Sequence, residues 1–119
     1  MANDDMTVVI YKILTYLYEC MKQGKRPAYS DIQSNSAMLH IPEYYWQNMI
    51  EELIDNQLIK GLKVVKTKDG SVFADNGLRI TLKGVEYPSE NSSMKKAGDF
   101  LGQAFLSAIN GMVCGLTSR

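Results

Sequence analysis

Residues 43–73 read EYYWQNMIEELIDNQLIKGLKVVKTKDGSVF, and within this stretch the hydrophobic period changes. Tyr45, Trp46, Met49, Ile50, Leu53 and Ile54 recur at intervals of three and four, the spacing of one buried helical face. Pro42 fits the first turn of that helix and Glu43 favours its positive end, so a helix is predicted over 43–56. From Leu58 onward the run Leu58, Ile59, Leu62, Val64 and Val65 suits a strand. Asp69-Gly70 then predicts a hairpin with a primed turn, because both residues tolerate positive φ. Val72 and Phe73 begin the return strand.

Towards the N-terminus, Val9, Ile10, Ile13, Leu14, Leu17, Cys20 and Met21 mark a helix over 5–23, capped by Asp4 or Asp5 and followed by Gly24. After the connector KRPAYS (25–30), Ser30 or Asp31 offers a cap for a short helix over 31–38. Towards the C-terminus, Asp75, Asn76 and Gly77 are expected to break the return strand, with Leu78, Ile80 and Leu82 resuming it. A short helix opens over 83–87, punctuated by Pro88, and Ser92 or Ser93 caps a last helix running to about residue 115. Three helices and then a hairpin form a winged helix-turn-helix, α+β and mainly helical, with an added C-terminal helix. The expected division is a winged-helix domain over 5–88 and a dimerisation or packing helix over 92–116. The pair 31–38 and 43–56 is the expected helix-turn-helix.

The segment MIEELIDNQLIKG (49–61), a hairpin, and then LRITLKGVEY (78–87) resembles the closing pattern of winged-helix families. More narrowly, Ile80-Thr81-Leu82-Lys83-Gly84-Val85-Glu86-Tyr87 and Glu90-Asn91-Ser92-Ser93-Met94-Lys95-Lys96-Ala97 resemble the YjcQ family of Gram-positive bacteria and their prophages, over roughly residues 6 to 105, in keeping with one domain. The resemblance implies a winged-helix fold and no particular activity. Pro88 departs from it, standing where a leucine would continue the short helix.

The length of 119 residues suits a single domain. Lysine plus arginine and aspartate plus glutamate each number 13, so attraction to a polyanion must come from uneven placement of charge. Cys20 and Cys114 form no CxxC or Cys/His cluster, so no metal site and no cofactor are expected, and two free thiols suit a reducing cytoplasm. A disulfide between them would require the first and last helices to touch. The N-terminus opens with aspartates rather than lysines, unlike a signal peptide, and the uncharged run 100–116 is short for a membrane span. His40 is the single histidine, and no nucleophile or acid is spaced to work with it, so the chain is expected not to be an enzyme.

The predicted recognition helix carries four carboxylates, Glu43, Glu51, Glu52 and Asp55, and no lysine or arginine. Carboxylates meet phosphates badly, which leaves Tyr44, Gln47 and Asn48 near its entering end as candidate base contacts. The wing region 57–83 holds Lys60, Lys63, Lys66, Lys68, Arg79 and Lys83 against Asp69 and Asp75. Lys63, Lys66, Lys68 and Arg79 are candidate phosphate contacts, joined by Lys25 and Arg26 if their loop lies close. The plainer role for such lysines is protection of an exposed edge strand. On the last helix Leu101, Ala104, Phe105, Ala108, Ile109 and Met112 form an apolar stripe. It is expected to pair two copies, as suits a reader of two-fold sites on double-stranded DNA, or else to fold back on the first helix. The expected function is thus a dimeric, phage-type transcriptional regulator. The competing expectation is a non-catalytic protein-interaction module docking through the acidic face 43–55. Membrane contact is not expected.

Overall fold

The computed structural model describes residues 2–115. Its elements run α1 (Met6–Lys22), a 3-10 turn (Tyr29–Ile32), α2 (Glu43–Asp55), β1 (Ile59–Thr67), β2 (Gly70–Ile80), α3 (Leu82–Glu90) and α4 (Ser92–Cys114). β1 and β2 form one antiparallel ribbon. The architecture is a winged-helix arrangement with an appended helix. α1 is its centre: Val9, Ile13, Leu14, Tyr16 and Leu17 are buried against residues from every other helix and the ribbon.

α1 ends as its sequence suggests. Gly24 sits at φ 69, its N–H reaches the Met21 carbonyl, and the Lys25 N–H reaches Cys20, so the orphan carbonyls of the last turn are met. Its start differs, because Asp5 occupies the cap position while its carboxylate accepts from the Ala2 N–H instead of the helix. α2 closes with the same motif built on Gln57, at φ 61, whose N–H donates to Ile54 while Leu58 N–H donates to Leu53. A glutamine held in the left-handed region costs about 1 kcal/mol that glycine does not. Gln57→Gly is therefore expected to raise stability by about 0.5–1 kcal/mol in urea unfolding. A loss would show that the side chain makes a contact outweighing the strain.

The short helix expected over 31–38 does not form. A single 3-10 turn is followed by successive tight turns through residue 39. Short polar side chains favour turns over helix here: the Ser36 hydroxyl accepts a backbone N–H and Ser34 Oγ donates to the Glu43 carboxylate. The Ser36 carbonyl takes the N–H groups of Leu39 and His40, and the Ser36 hydroxyl accepts from Leu39 N–H as well. His40 is an exposed turn residue at φ 45. Tertiary bonds hold the segment in place of a helical ladder. Tyr16 Oη donates to Asp31 at 2.7 Å and accepts from the Ala28 N–H, and Trp46 Nε1 donates to the Ile32 carbonyl at 2.7 Å. Lys12 Nζ donates to the Met38 carbonyl at 3.3 Å. Lys12 is buried, and burial lowers its pKa.

The hairpin falls one residue earlier than Asp69-Gly70 suggests. Thr67 pairs with Gly70, so Lys68 and Asp69 are the turn, and only Gly70 takes positive φ, at 131. β2 also runs unbroken through Asp75-Asn76-Gly77. The register shifts there instead, opposite Gly61, and Asp75 Oδ1 accepts from the N–H groups of Gly77 and Leu78. Gly61 is required at this point, because a Cβ on it would lie 2.1 Å from the Gly77 carbonyl oxygen.

α3 is longer than the 83–87 expected and passes through Pro88, whose missing N–H falls near the helix end. Its cap is Thr81, whose hydroxyl accepts from Gly84 N–H at 3.0 Å and donates to the Gln57 carbonyl at 2.6 Å. α4 is capped by Asn91, accepting from Met94 N–H, rather than by Ser92 or Ser93. It kinks at Gly102, whose φ of 68 and ψ of −166 are open essentially to glycine alone. The kink lays Ile109 and Val113 into the core on α1, and Gln23 Nε2 donates to Asn110 Oδ1 at 2.8 Å. Leu116, at the end of the expected helix region, lies outside the described residues.

The first and last helices do touch, yet Cys20 is buried and Cys114 exposed, and both are free thiols. Burial raises the Cys20 pKa to about 11. Under native conditions at neutral pH, a thiol reagent is expected to modify Cys114 alone, Cys20 reacting only on unfolding. Equal rates for both would contradict the packing of α1. The unfolded chain ionises Cys20 near 9, so this group favours unfolding as pH climbs from 9 towards 11.

Candidate nucleic-acid interface

The two faces of the ribbon have different work. Paired residues share a face, so Val64 with Phe73 and Lys66 with Ser71 lie together, turned towards α2. Phe73 meets Trp46 edge-on at 5.3 Å between ring centres. Lys66 Nζ pairs with Glu51 and donates to Ser71 Oγ, and Ser71 Oγ also donates to Glu51. Gln47 Oε1 accepts from the Ser71 N–H at 3.2 Å, and its amide nitrogen reaches Glu43. The row Gln47–Glu51 on α2 thus clasps the wing.

This divides the residues singled out from the sequence. Gln47 and Lys66 bond within the clasp, Lys66 with 69% of its side chain still exposed. Tyr44 and Asn48 remain outside: Tyr44 is 80% exposed, and Asn48 Nδ2 donates to the Tyr44 carbonyl at 2.8 Å. Lys63 and Arg79 are exposed on the strands and Lys68 at the turn. Lys60, directly opposite Arg79, joins them. Among the described residues none of these four has an ion-pair partner. The clasp follows from the turn's place: a turn at Asp69-Gly70 would set Lys66 opposite Phe73, two residues from its observed partner. With Thr67 opposite Gly70, the pairing of Lys66 with Ser71 follows directly.

The base of the wing lies against the loop after α1. Lys25, Arg26, Asp75 and Arg79 line one cleft of about 540 Å³, with Met21 and Pro27 among its apolar walls. The connector after α1 therefore does add to the wing's positive charge.

The residue-pattern resemblance has an independent counterpart. The family model described as YjcQ protein matches residues 11–102, most of the chain. The chain belongs to the YjcQ family. No curated protein and no solved structure matches it. The matched region of this YjcQ member takes in the clasp, the ribbon, the Thr81–Gly84 cap and α4 as far as its kink.

On α4 the expected pairing stripe is partly spent inside the chain. Ile109 is 1% exposed, and Phe105 lies against Tyr11 with ring centres 6.3 Å apart. Leu101 and Met112 are half-buried, leaving Ala104 and Ala108 exposed beside Phe100 and Leu106. No described helix is long and apolar enough to cross a membrane.

Proposed function

We propose that this YjcQ member is a non-catalytic DNA-binding protein that grips the phosphate backbone with its wing. The observation that supports the reading is the cation row Lys60, Lys63, Lys68 and Arg79 on the exposed ribbon, none of them ion-paired among the described residues. Phosphate contact of this kind supplies affinity without reading sequence. Tyr44 and Asn48 are the base contacts left to α2, so sequence discrimination is weaker than in a protein with arginine there. A regulator of phage type is the biological setting this proposal favours, acting on double-stranded DNA in the cytoplasm. Pairing of two copies through α4 belongs to the same proposal. With Ile109 inside the chain, Phe100, Ala104 and Ala108 would carry it, and the mass of the protein in solution tests it.

Anisotropy with a labelled mixed-sequence duplex at low salt tests the main reading. Binding at micromolar protein that weakens steeply with salt is expected, and no binding at that concentration would refute it. One observation favours a second reading. Tyr44, Asn48, Glu52 and Asp55 remain exposed along α2 and carry two carboxylates, a surface suited to a basic protein partner. Duplex binding that survives Glu52→Gln and Asp55→Asn unchanged, or improves, favours DNA over that module.

A further inference from the structure

From the cleft at the wing root we infer a dedicated phosphate subsite, holding a phosphodiester group between Arg26 and Arg79. Its extension to a DNA duplex rests on the reading above. Arg26 comes from the loop after α1 and Arg79 from the end of β2, so only the folded chain brings them to one cleft. Among the described residues neither has an ion-pair partner. Two arginines lining one cleft, neither ion-paired among the described residues, suit an anion held between them. Their planar forks match the oxygens of a phosphate.

The rest of the cleft is arranged consistently with this. Asp75 is its one carboxylate, and Oδ1 of that group already accepts from Gly77 and Leu78 N–H at 3.1 and 3.0 Å. Lys25 Nζ donates to the Cys114 carbonyl at 3.0 Å, adding positive charge at the rim while tied to the end of α4. Met21, 47% exposed, gives the space an apolar wall that a sugar or base face can lie on.

The charge does not stop at the cleft. Lys60 stands across from Arg79, and Lys63 follows about 10 Å further along the ribbon. A small anion satisfies the cleft alone. A chain of phosphates satisfies the cleft and the ribbon together, which favours a nucleic-acid backbone over a free nucleotide.

The test compares Arg26→Gln/Arg79→Gln with Lys95→Gln/Lys96→Gln, which removes the same charge from the exposed start of α4. Duplex anisotropy is read between about 50 and 200 mM salt. The arginine pair is expected to lose at least about tenfold in affinity and about 2 in salt slope, and the lysine pair far less. Equal losses, or none from the arginine pair, overturn the subsite while leaving DNA binding standing. A second arm adds inorganic phosphate and a mononucleotide and follows the backbone amides of Gly77, Leu78 and Arg79 by NMR. Shifts at these amides that vanish in the arginine variant, without duplex binding by the native protein, keep the phosphate site and remove the DNA reading. Absence of both shifts and duplex binding overturns both. Both arginines are exposed, so an unchanged melting temperature is expected for the variant.

Discussion

Trp46→Ala is expected to destabilise the protein by about 3–5 kcal/mol, a large part of the stability of a domain this size. Trp46 is 3% exposed and joins three otherwise separate pieces. Its ring meets Phe73 of the wing edge-on at 5.3 Å and Tyr29 of the 3-10 turn at 6.4 Å, from its seat on α2. Its Nε1–H satisfies the buried Ile32 carbonyl. Truncation opens a cavity and also leaves that carbonyl unmet, and the two costs add. Trp46→Phe keeps an aromatic ring and loses the donor, so about 1–3 kcal/mol is expected for it. Urea unfolding should be followed by circular dichroism, because Trp46 is the single tryptophan and the variants lack its fluorescence. A loss below about 1 kcal/mol for the alanine variant would mean that the wing and the 3-10 turn are not anchored through this ring.

Gly84→Ala is expected to cost about 2–3 kcal/mol, although alanine is the better helix former. Gly84 lies in the first turn of α3, pressed on the backbone that leaves α2. A Cβ there would stand 2.2 Å from the Leu58 carbonyl oxygen and 2.8 Å from Ile80 Cγ1. A backbone oxygen cannot swing aside as a side chain does, so α3 itself must move. Movement breaks the cap in which Thr81 bridges Gly84 N–H and the Gln57 carbonyl. Gly111→Ala is the internal comparison: it is helical, an added Cβ meets nothing within 4 Å, and a gain of about 0.5–1 kcal/mol is expected. Similar effects at both positions would show that helix propensity, and not the close approach at Leu58, governs Gly84.

The same glycine shows what sequence reading captures and what it leaves out. The run Ile80-Thr81-Leu82-Lys83-Gly84 is recognisable as a pattern, and its physical content becomes visible only once α2, β1 and α3 meet. Strongly periodic segments were readable: α1 and α2 lie where apolar spacing puts them, and the ribbon covers the expected stretch with its turn one residue earlier and no break at 75–77. The segment after Ser30 was not, because a single turn of helix and a string of serine-bonded turns share one polar composition, and the tertiary bonds from Tyr16, Trp46 and Lys12 decide between them. The kink at Gly102 was hidden because α4 holds Gly98, Gly102 and Gly111, and their spacing does not mark which one bends.

For the interface, the excess of positive charge on the ribbon was legible, whereas the meeting of Lys66 with Glu51 of α2 was not. Lys63 and Lys66 look equivalent in KGLKVVK (60–66), three residues apart in a basic strand. Strand alternation puts them on opposite faces: both are exposed, Lys66 lies beside Glu51, and Lys63 has no ion-pair partner among the described residues. Of the two expectations for the α4 stripe, folding back on α1 holds for Ile109 and Val113, which close the core there, while Ala104 and Ala108 stay exposed.

The most direct test of this account is the salt dependence of duplex binding for Lys63→Gln beside Lys66→Gln. If the outward face of the ribbon holds the phosphates, Lys63→Gln lowers the slope by about 1 and Lys66→Gln leaves it nearly unchanged. Equal slopes for both variants, or a greater loss from Lys66→Gln, would contradict it.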